Sequence, residues 1–434
     1  MAKKKLEYET AIPTLGEAKI NTTLKNPRCI DDSKPLTLMM TAEELTELDA
    51  DTLRMNFEMA GPREKLYFDP SKTKCAIVTC GGLCPGINDV IRSIVMEAHY
   101  HYGIRTVLGI TNGLRGFIPE YGYDVKELTP ENVSNIHQFG GTILASSRGL
   151  QDAEEIVDSL ERLNINILFA IGGDGTMRAA KSIVDEVSAR GRKISVIGIP
   201  KTIDNDINFI TRSFGFDTAV EKATEAIQCA HVEATGVDMG IGLVKLMGRE
   251  AGFIAAQATL ALQETNFLLV PEQSFKLDGD DGFLMALERR LLARKHALIV
   301  CAEGAGQDLM ESEIERDPSG NPKLGDICGL LVKRIKEHFK ERGLEMNMKF
   351  IDPSYIIRSV PANAGDRIYC GFLGQHSVHA AMSGRTGMVV TQLKSSMVYL
   401  PLDLVTGKRR SINICSGYWS SVMGATGQQD YFEK

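Results

Sequence analysis

Short apolar runs recur along the chain, each closed by a turn rich in glycine, proline or aspartate. Cys75–Cys80, Thr106–Ile110, Ile165–Ile171, Ile194–Ile199, Met239–Leu246 and Ala297–Ala302 are continuous enough to read as strands buried on both faces. Between them the spacing of apolar positions predicts amphipathic helices over Ile87–Tyr100, 152–163, 176–190, 217–234 and 283–294, with Met247–Glu250 opening one more. Strand and helix in alternation imply parallel sheets covered on both sides. The expected fold is therefore α/β, with two doubly wound lobes. Residues 1–70 form an N-terminal extension with a capping signal at Thr41-Ala42-Glu43-Glu44. Residues 71–215, completed by 367–400, make the first lobe, 216–366 the second, and 401–434 a C-terminal extension.

Composition narrows the class. With 434 residues, 43% hydrophobic and 24% charged, the chain has the make-up of a globular protein with room for two cores. A net charge of −7 argues against sequence-independent nucleic-acid binding, and Lys3-Lys4-Lys5 and Lys408-Arg409-Arg410 read as a solvated terminus and an exposed loop. No apolar run approaches the roughly 20 residues that cross a bilayer, so no membrane partner and a cytosolic location are expected. The nine cysteines lack the spacing of a metal site or disulfide framework and read as reduced core thiols. Cys84, inside a glycine-rich loop, is either one of these or a thiol open to oxidants.

The turns carry the chemistry. Ile171–Thr176 and Pro200–Asp206 both follow strands, where ligands of open α/β sheets bind. Gly81, Gly82 and Gly86 after the first strand, and Gly173 and Gly175 after another, let backbone N–H groups approach phosphate closely. Asp174 is placed as a Mg²⁺ ligand, with the Thr176 hydroxyl a further phosphate donor. Asp204 is a base for an acceptor hydroxyl, with Thr202 and Asp206 orienting the acceptor, although spacing alone leaves Asp206 as an alternative base. Arg148 and Arg249 offer the planar donors that phosphoryl groups require. Together these features point to phosphoryl transfer.

Six segments, in order, resemble the 6-phosphofructokinases: Gly81–Asn88, Gly141–Arg148, Gly172–Thr176, Pro200–Asp206, Ser213–Ala219 and Met247–Arg249. The resemblance spans about residues 72–400. It implies transfer of phosphate to the 1-hydroxyl of fructose 6-phosphate, as in glycolysis, with Asp204 as base, Asp174 on Mg²⁺, and Arg148 and Thr202 stabilising the transition state. Met247, Gly248, Arg249 and Glu303 would hold the sugar, and Tyr355, Arg358 and Arg367 would lie near its 6-phosphate. It also implies a homo-oligomer, tetramer or dimer.

Within that family Gly175 points to ATP as donor, because diphosphate users carry aspartate there, where its bulk and charge exclude the nucleotide. Lys201 points to diphosphate. The combination is similar to long ATP enzymes such as those of trypanosomatids, so ATP is expected, with a diphosphate-dependent enzyme as the alternative and an inert phosphosugar or nucleotide sensor as a remote one. There are two departures from the short bacterial members, Gly240 in place of an arginine lent across a subunit interface and no evident histidine around Ala364, so neither their shared-site geometry nor their allosteric switch is carried over to this chain.

Overall fold

A computed structural model describes residues 9–25, 27–37, 56–310, 323–393, 395–407, 409–428 and 431–432. The capping signal at Thr41–Glu44, the lysines at 3–5 and Lys408 lie outside the described residues. The strands of the two main sheets are, in chain order, β1 (Lys74–Thr79), β2 (Thr106–Ile110), β3 (Val125–Glu127), β4 (Ile167–Gly172), β5 (Ser195–Pro200), β6 (Gly240–Leu246), β7 (Phe267–Leu269), β8 (His296–Ala302), β9 (Asn347–Ile351), β10 (Met388–Leu393) and β11 (Ser396–Pro401). All six strands read from the sequence are present within two residues of their expected ends. Those missed are short, exposed or late in the chain.

The chain packs into two compact units. The first comprises the described residues up to Thr202, then Ile207–Phe214 and 361–407; the second comprises Ile203–Asp206, Gly215–Val360 and the described residues from Arg409. Thus the described residues of the 1–70 segment belong to the first unit, and those of the expected C-terminal extension are divided between both.

The first unit holds a seven-stranded sheet of order β11-β10-β5-β4-β1-β2-β3, parallel except at its two edges. The chain leaves β1 to one side for β2 and returns to the other for β4, so strand order reverses between β1 and β4. Such a switch point is where loops diverge and a ligand can enter. Strand β4 is buried throughout, which explains why its sequence shows no alternation of polar positions. Its core joins Val78, Leu168, Met177, Val196 and Leu400, and fully burying each such side chain contributes about 1.5–3 kcal/mol.

The second unit holds a parallel sheet of order β7-β8-β6-β9, which reverses direction at β6. Its two faces are covered by separate clusters, one around Val244, Ile254 and Trp419, the other around Leu243, Phe283 and Ile335. The loop after β6 does not open a helix at Met247 as expected; the helix begins at Phe253 with Gly252 as its N-cap. Gly240, where an arginine is missing, starts β6 with a Cβ position that would run into the Ala234 carbonyl, so this backbone admits no side chain there.

Candidate active site

In the first unit, the loops after β1 and β4 lie at the switch point. Gly81 N–H donates to the Ser147 carbonyl at 3.0 Å, and Ser146 Oγ donates to the Gly81 carbonyl at 2.7 Å. These bonds lay the Ala145–Arg148 segment beside the glycine loop. Ala145 holds a left-handed φ of 55°, uncommon for a residue with a Cβ, and its carbonyl accepts from Thr79 Oγ1 at 2.7 Å. A Cβ at Gly82 would stand 3.7 Å from the Arg148 guanidinium, and one at Gly81 3.6 Å from Lys201 Nζ. The loop therefore runs between two cations, and Lys201 Nζ donates to the Gly82 carbonyl at 2.7 Å.

Gly86 has a structural reason to be glycine. Its φ is 101°, and a Cβ would sit 2.7 Å from Cys370 Sγ, so it starts the helix Ile87–Met96 where no larger residue fits. Cys84 is buried, with Sγ donating to the Phe214 carbonyl at 3.2 Å, which identifies it as a core thiol.

After β4 the helix Asp174–Ala189 starts two residues earlier than expected, with Gly173 as N-cap. Thr176 N–H donates to the Gly173 carbonyl at 2.9 Å, and the positive end of the helix dipole makes this terminus attractive to anions. Asp174 pairs with Arg178 one turn along, at 2.7 Å. Thr176 is buried, its hydroxyl packed against Gly172 and the Cys80 thiol. A Cβ added at Gly175 would meet nothing within 4 Å, so the space beside it is open. Thr202 is half-buried, its carbonyl accepting from Ser213 Oγ at 2.5 Å. Arg367, read as a sugar ligand, lies in this unit on the helix Ala364–Met382; its Nε donates to the Ala362 carbonyl at 2.7 Å and its charge faces buried Asp89.

The second unit gathers the other predicted residues around the carboxyl ends of β6 and β8. Glu303 N–H donates to the Leu246 carbonyl and Gly304 N–H to the Gly248 carbonyl, both at 2.9 Å, so Met247–Arg249 and Glu303 are locked side by side. Gly248 has φ 135° and a Cβ there would lie 2.6 Å from the Ala251 carbonyl. Burial raises the Glu303 carboxyl above its ordinary range, while Arg249, Lys245 and Arg358 draw it back. Arg358 stacks on the ring of exposed Tyr355, 4.7 Å from its centroid.

Asp204 lies in the turn Ile203–Asp206, where Asn205 has φ 56°. Its Oδ1 is enclosed and lacks a hydrogen-bond partner. Burial, reinforced by the negative charges of Asp206 and Glu303, pushes its carboxyl well above the usual range; the Arg249 backbone N–H and the Arg409 charge only partly oppose this. A carboxyl displaced toward neutrality with one oxygen lacking a partner is suited to proton transfer.

Arg409 and Arg410 were read as an exposed loop, yet both are half-buried against this turn. Arg409 Nη1 lies 3.5 Å from Asp206 and 3.0 Å from Glu250. A basic run is a poor guide to such contacts, because its partners are remote in sequence.

The first unit thus offers glycine-rich loops at a switch point and a carboxylate at a helix N-terminus, and the second a carboxylate of raised pKa, features of the kind an α/β phosphotransferase uses. Residues 74–381 match the phosphofructokinase family. An ATP-dependent 6-phosphofructokinase of Borreliella burgdorferi is 49% identical over 379 residues, covering 86% of this chain and 85% of that one. One of Trypanosoma cruzi is 44% identical over 377 residues, covering 86% and 77%. Among solved structures, a pyrophosphate-dependent phosphofructokinase of Marinobacter aquaeolei superposes with TM-score 0.68 over 83% of this chain and 93% of that one; at 19% identity the likeness is one of fold. The chain belongs to the phosphofructokinase family.

Proposed function

We propose that this protein is an ATP-dependent 6-phosphofructokinase, moving the γ-phosphate of ATP to the 1-hydroxyl of fructose 6-phosphate. The observation that carries the reading is Asp204, whose carboxyl is raised by burial and by Asp206 and Glu303 and so suits it to take the hydroxyl proton as the oxygen attacks phosphorus. Asp206 and Thr202 orient the acceptor. The names of the relatives at 44–49% identity support the same substrates.

For the sugar, Met247, Gly248, Arg249 and Glu303 form the binding loop, Glu303 accepting from hydroxyls and Tyr355, Arg358 and Arg367 serving the 6-phosphate. For the donor, Gly81, Gly82, Gly86, Gly173 and Gly175 line the phosphate path with Thr176 packed behind them, and Arg148 and Lys201 supply positive charge. The open space beside Gly175 favours the nucleotide. Lys201 keeps diphosphate as a second reading, but its bond to Gly82 gives it a task in shaping the loop with either donor.

Asp174 would hold Mg²⁺. A single carboxylate suffices for this role, because Mg²⁺ takes most of its ligands from water and the donor's phosphates. When bound, the ion neutralises charge on the phosphate oxygens. Among the described residues no helix is long and apolar enough to cross a membrane. A cytosolic homo-oligomer, dimer or tetramer, completes the proposal. The test is turnover of fructose 6-phosphate and Mg²⁺ with ATP or diphosphate in separate coupled assays. Activity with ATP supports the reading; activity with diphosphate alone overturns the donor, and none with either overturns the enzyme.

A further inference from the structure

The turn Ile203–Asp206 is short, has Asn205 in the left-handed region, and places Asp204 near both Asp206 and Glu303. A turn of this kind persists only where its surroundings hold it. In the second unit that support comes from a segment distant in sequence. Arg410 N–H donates to the Asp206 carbonyl at 2.8 Å, fixing the main chain. The preceding residue, Arg409, faces the Asp206 side chain at 3.5 Å and Glu250 at 3.0 Å. The segment is anchored immediately after these contacts. The Arg410 guanidinium lies over the Phe253 ring, 4.5 Å from its centroid. Ile412 N–H donates at 2.8 Å to Glu272, whose carboxylate also accepts from Gly252 N–H at 3.1 Å.

We infer that Arg409 is a positioning residue for the transfer reaction, bridging Asp206 to Glu250 and so holding the Asp204–Asp206 turn beside the loop that carries Arg249. Arg409 need not touch the sugar. It spreads one positive charge over two carboxylates, keeps Asp206 from turning toward Asp204, and carries the orientation of the turn from a rigidly anchored segment. Since the side chain of Asp206 is only 9% exposed, its pairing is weakly screened, whereas Glu250, 52% exposed, acts chiefly as a guide for the guanidinium.

The inference rests on the kinase reading, and one set of measurements separates the two. Steady-state kinetics and thermal melting are compared for the full-length wild type, Arg409→Gln, Arg409→Lys, Asp206→Asn and the double variant Arg409→Gln/Asp206→Asn. Arg409→Gln is expected to lower kcat by about 10- to 100-fold, with KM for fructose 6-phosphate within about threefold, because orientation rather than affinity is lost. Arg409→Lys should recover most of kcat, and the double variant should lose less than the product of the single losses, since the two residues act as a pair. Wild-type kcat in Arg409→Gln overturns the inference. So do equal losses in the Lys and Gln variants accompanied by a lowered melting temperature, which would mark a purely structural arginine. A wild type silent with both donors instead overturns the kinase reading, and the inference with it.

Discussion

The ammonium group of Lys201 donates a hydrogen bond to the carbonyl of Gly82 across 2.7 Å, tying the end of one buried strand to the glycine loop of another. Lys201 is itself buried, so the bond is shielded from water and the loop is held in place before a ligand arrives. Replacing Lys201 with Met keeps the aliphatic stem and removes the donor. The expected result is a rise of about tenfold or more in KM for the phosphoryl donor with little change in KM for the sugar, read from paired saturation curves. Equal changes in both constants would contradict the assignment of the loop to the donor.

Gly175 faces open space, so a side chain there should cost the fold little. An aspartate in the first turn of the helix Asp174–Ala189 also complements the helix dipole. Gly175→Asp is therefore expected to melt at or slightly above the wild-type temperature while kcat/KM for ATP falls on the order of 100-fold, about 2.7 kcal/mol of transition-state stabilisation. Unchanged ATP kinetics would remove the steric argument for the donor.

Asp204 sets the pH behaviour. Its carboxyl is displaced upward by burial and by Asp206 and Glu303, so the acid limb of kcat should lie above the range of an ordinary carboxylate, and Asp204→Asn should lower kcat by about 10²- to 10⁴-fold. The linkage has a definite sign. A folded-state value above the unfolded one means that the native state binds the proton more tightly, so this group's contribution is full at low pH and is lost as pH rises through the folded value. Asp204→Asn should accordingly be more stable than wild type at alkaline pH, with the difference closing toward pH 4; urea titrations at several pH values measure it.

Glu272 is a half-buried carboxylate that accepts from the backbone N–H groups of Gly252 and Ile412, and desolvation raises its pKa. Glu272→Ala leaves both donors unpaired and is expected to cost about 2–4 kcal/mol. Amide exchange should then quicken around the helix Gly417–Thr426 and around Gly252, while the seven-stranded sheet keeps its protection.

Much of the architecture was legible because parallel strands buried on both faces leave long apolar runs, as in β4 and β5, and because glycine turns mark their ends. Strand β3 was not, since all three of its residues are exposed, and β9 offers only a half-exposed edge pattern. At the site, Asp204 and Asp174 could be found in the sequence because they follow buried strands, and Glu303 through the family resemblance. Arg409 and Glu272 could not, since their importance lies in contacts with Asp206 and Gly252 that only folding creates. Sequence likewise could not separate the two reasons for a glycine: Gly175 borders open space, whereas Gly86 is forced by φ and by Cys370.

The placement of β10 beside β5 bears on biogenesis. The two strands pair in parallel, Met388 opposite Ile197, although β10 leaves the ribosome about 190 residues after β5. At about 5–20 residues per second the nascent chain carries the bare edge of an apolar strand for on the order of ten to forty seconds. An unpaired edge of this kind invites pairing with other chains, so synthesis of this enzyme should be most vulnerable to aggregation in that interval, and most responsive then to chaperones that shield nascent chains.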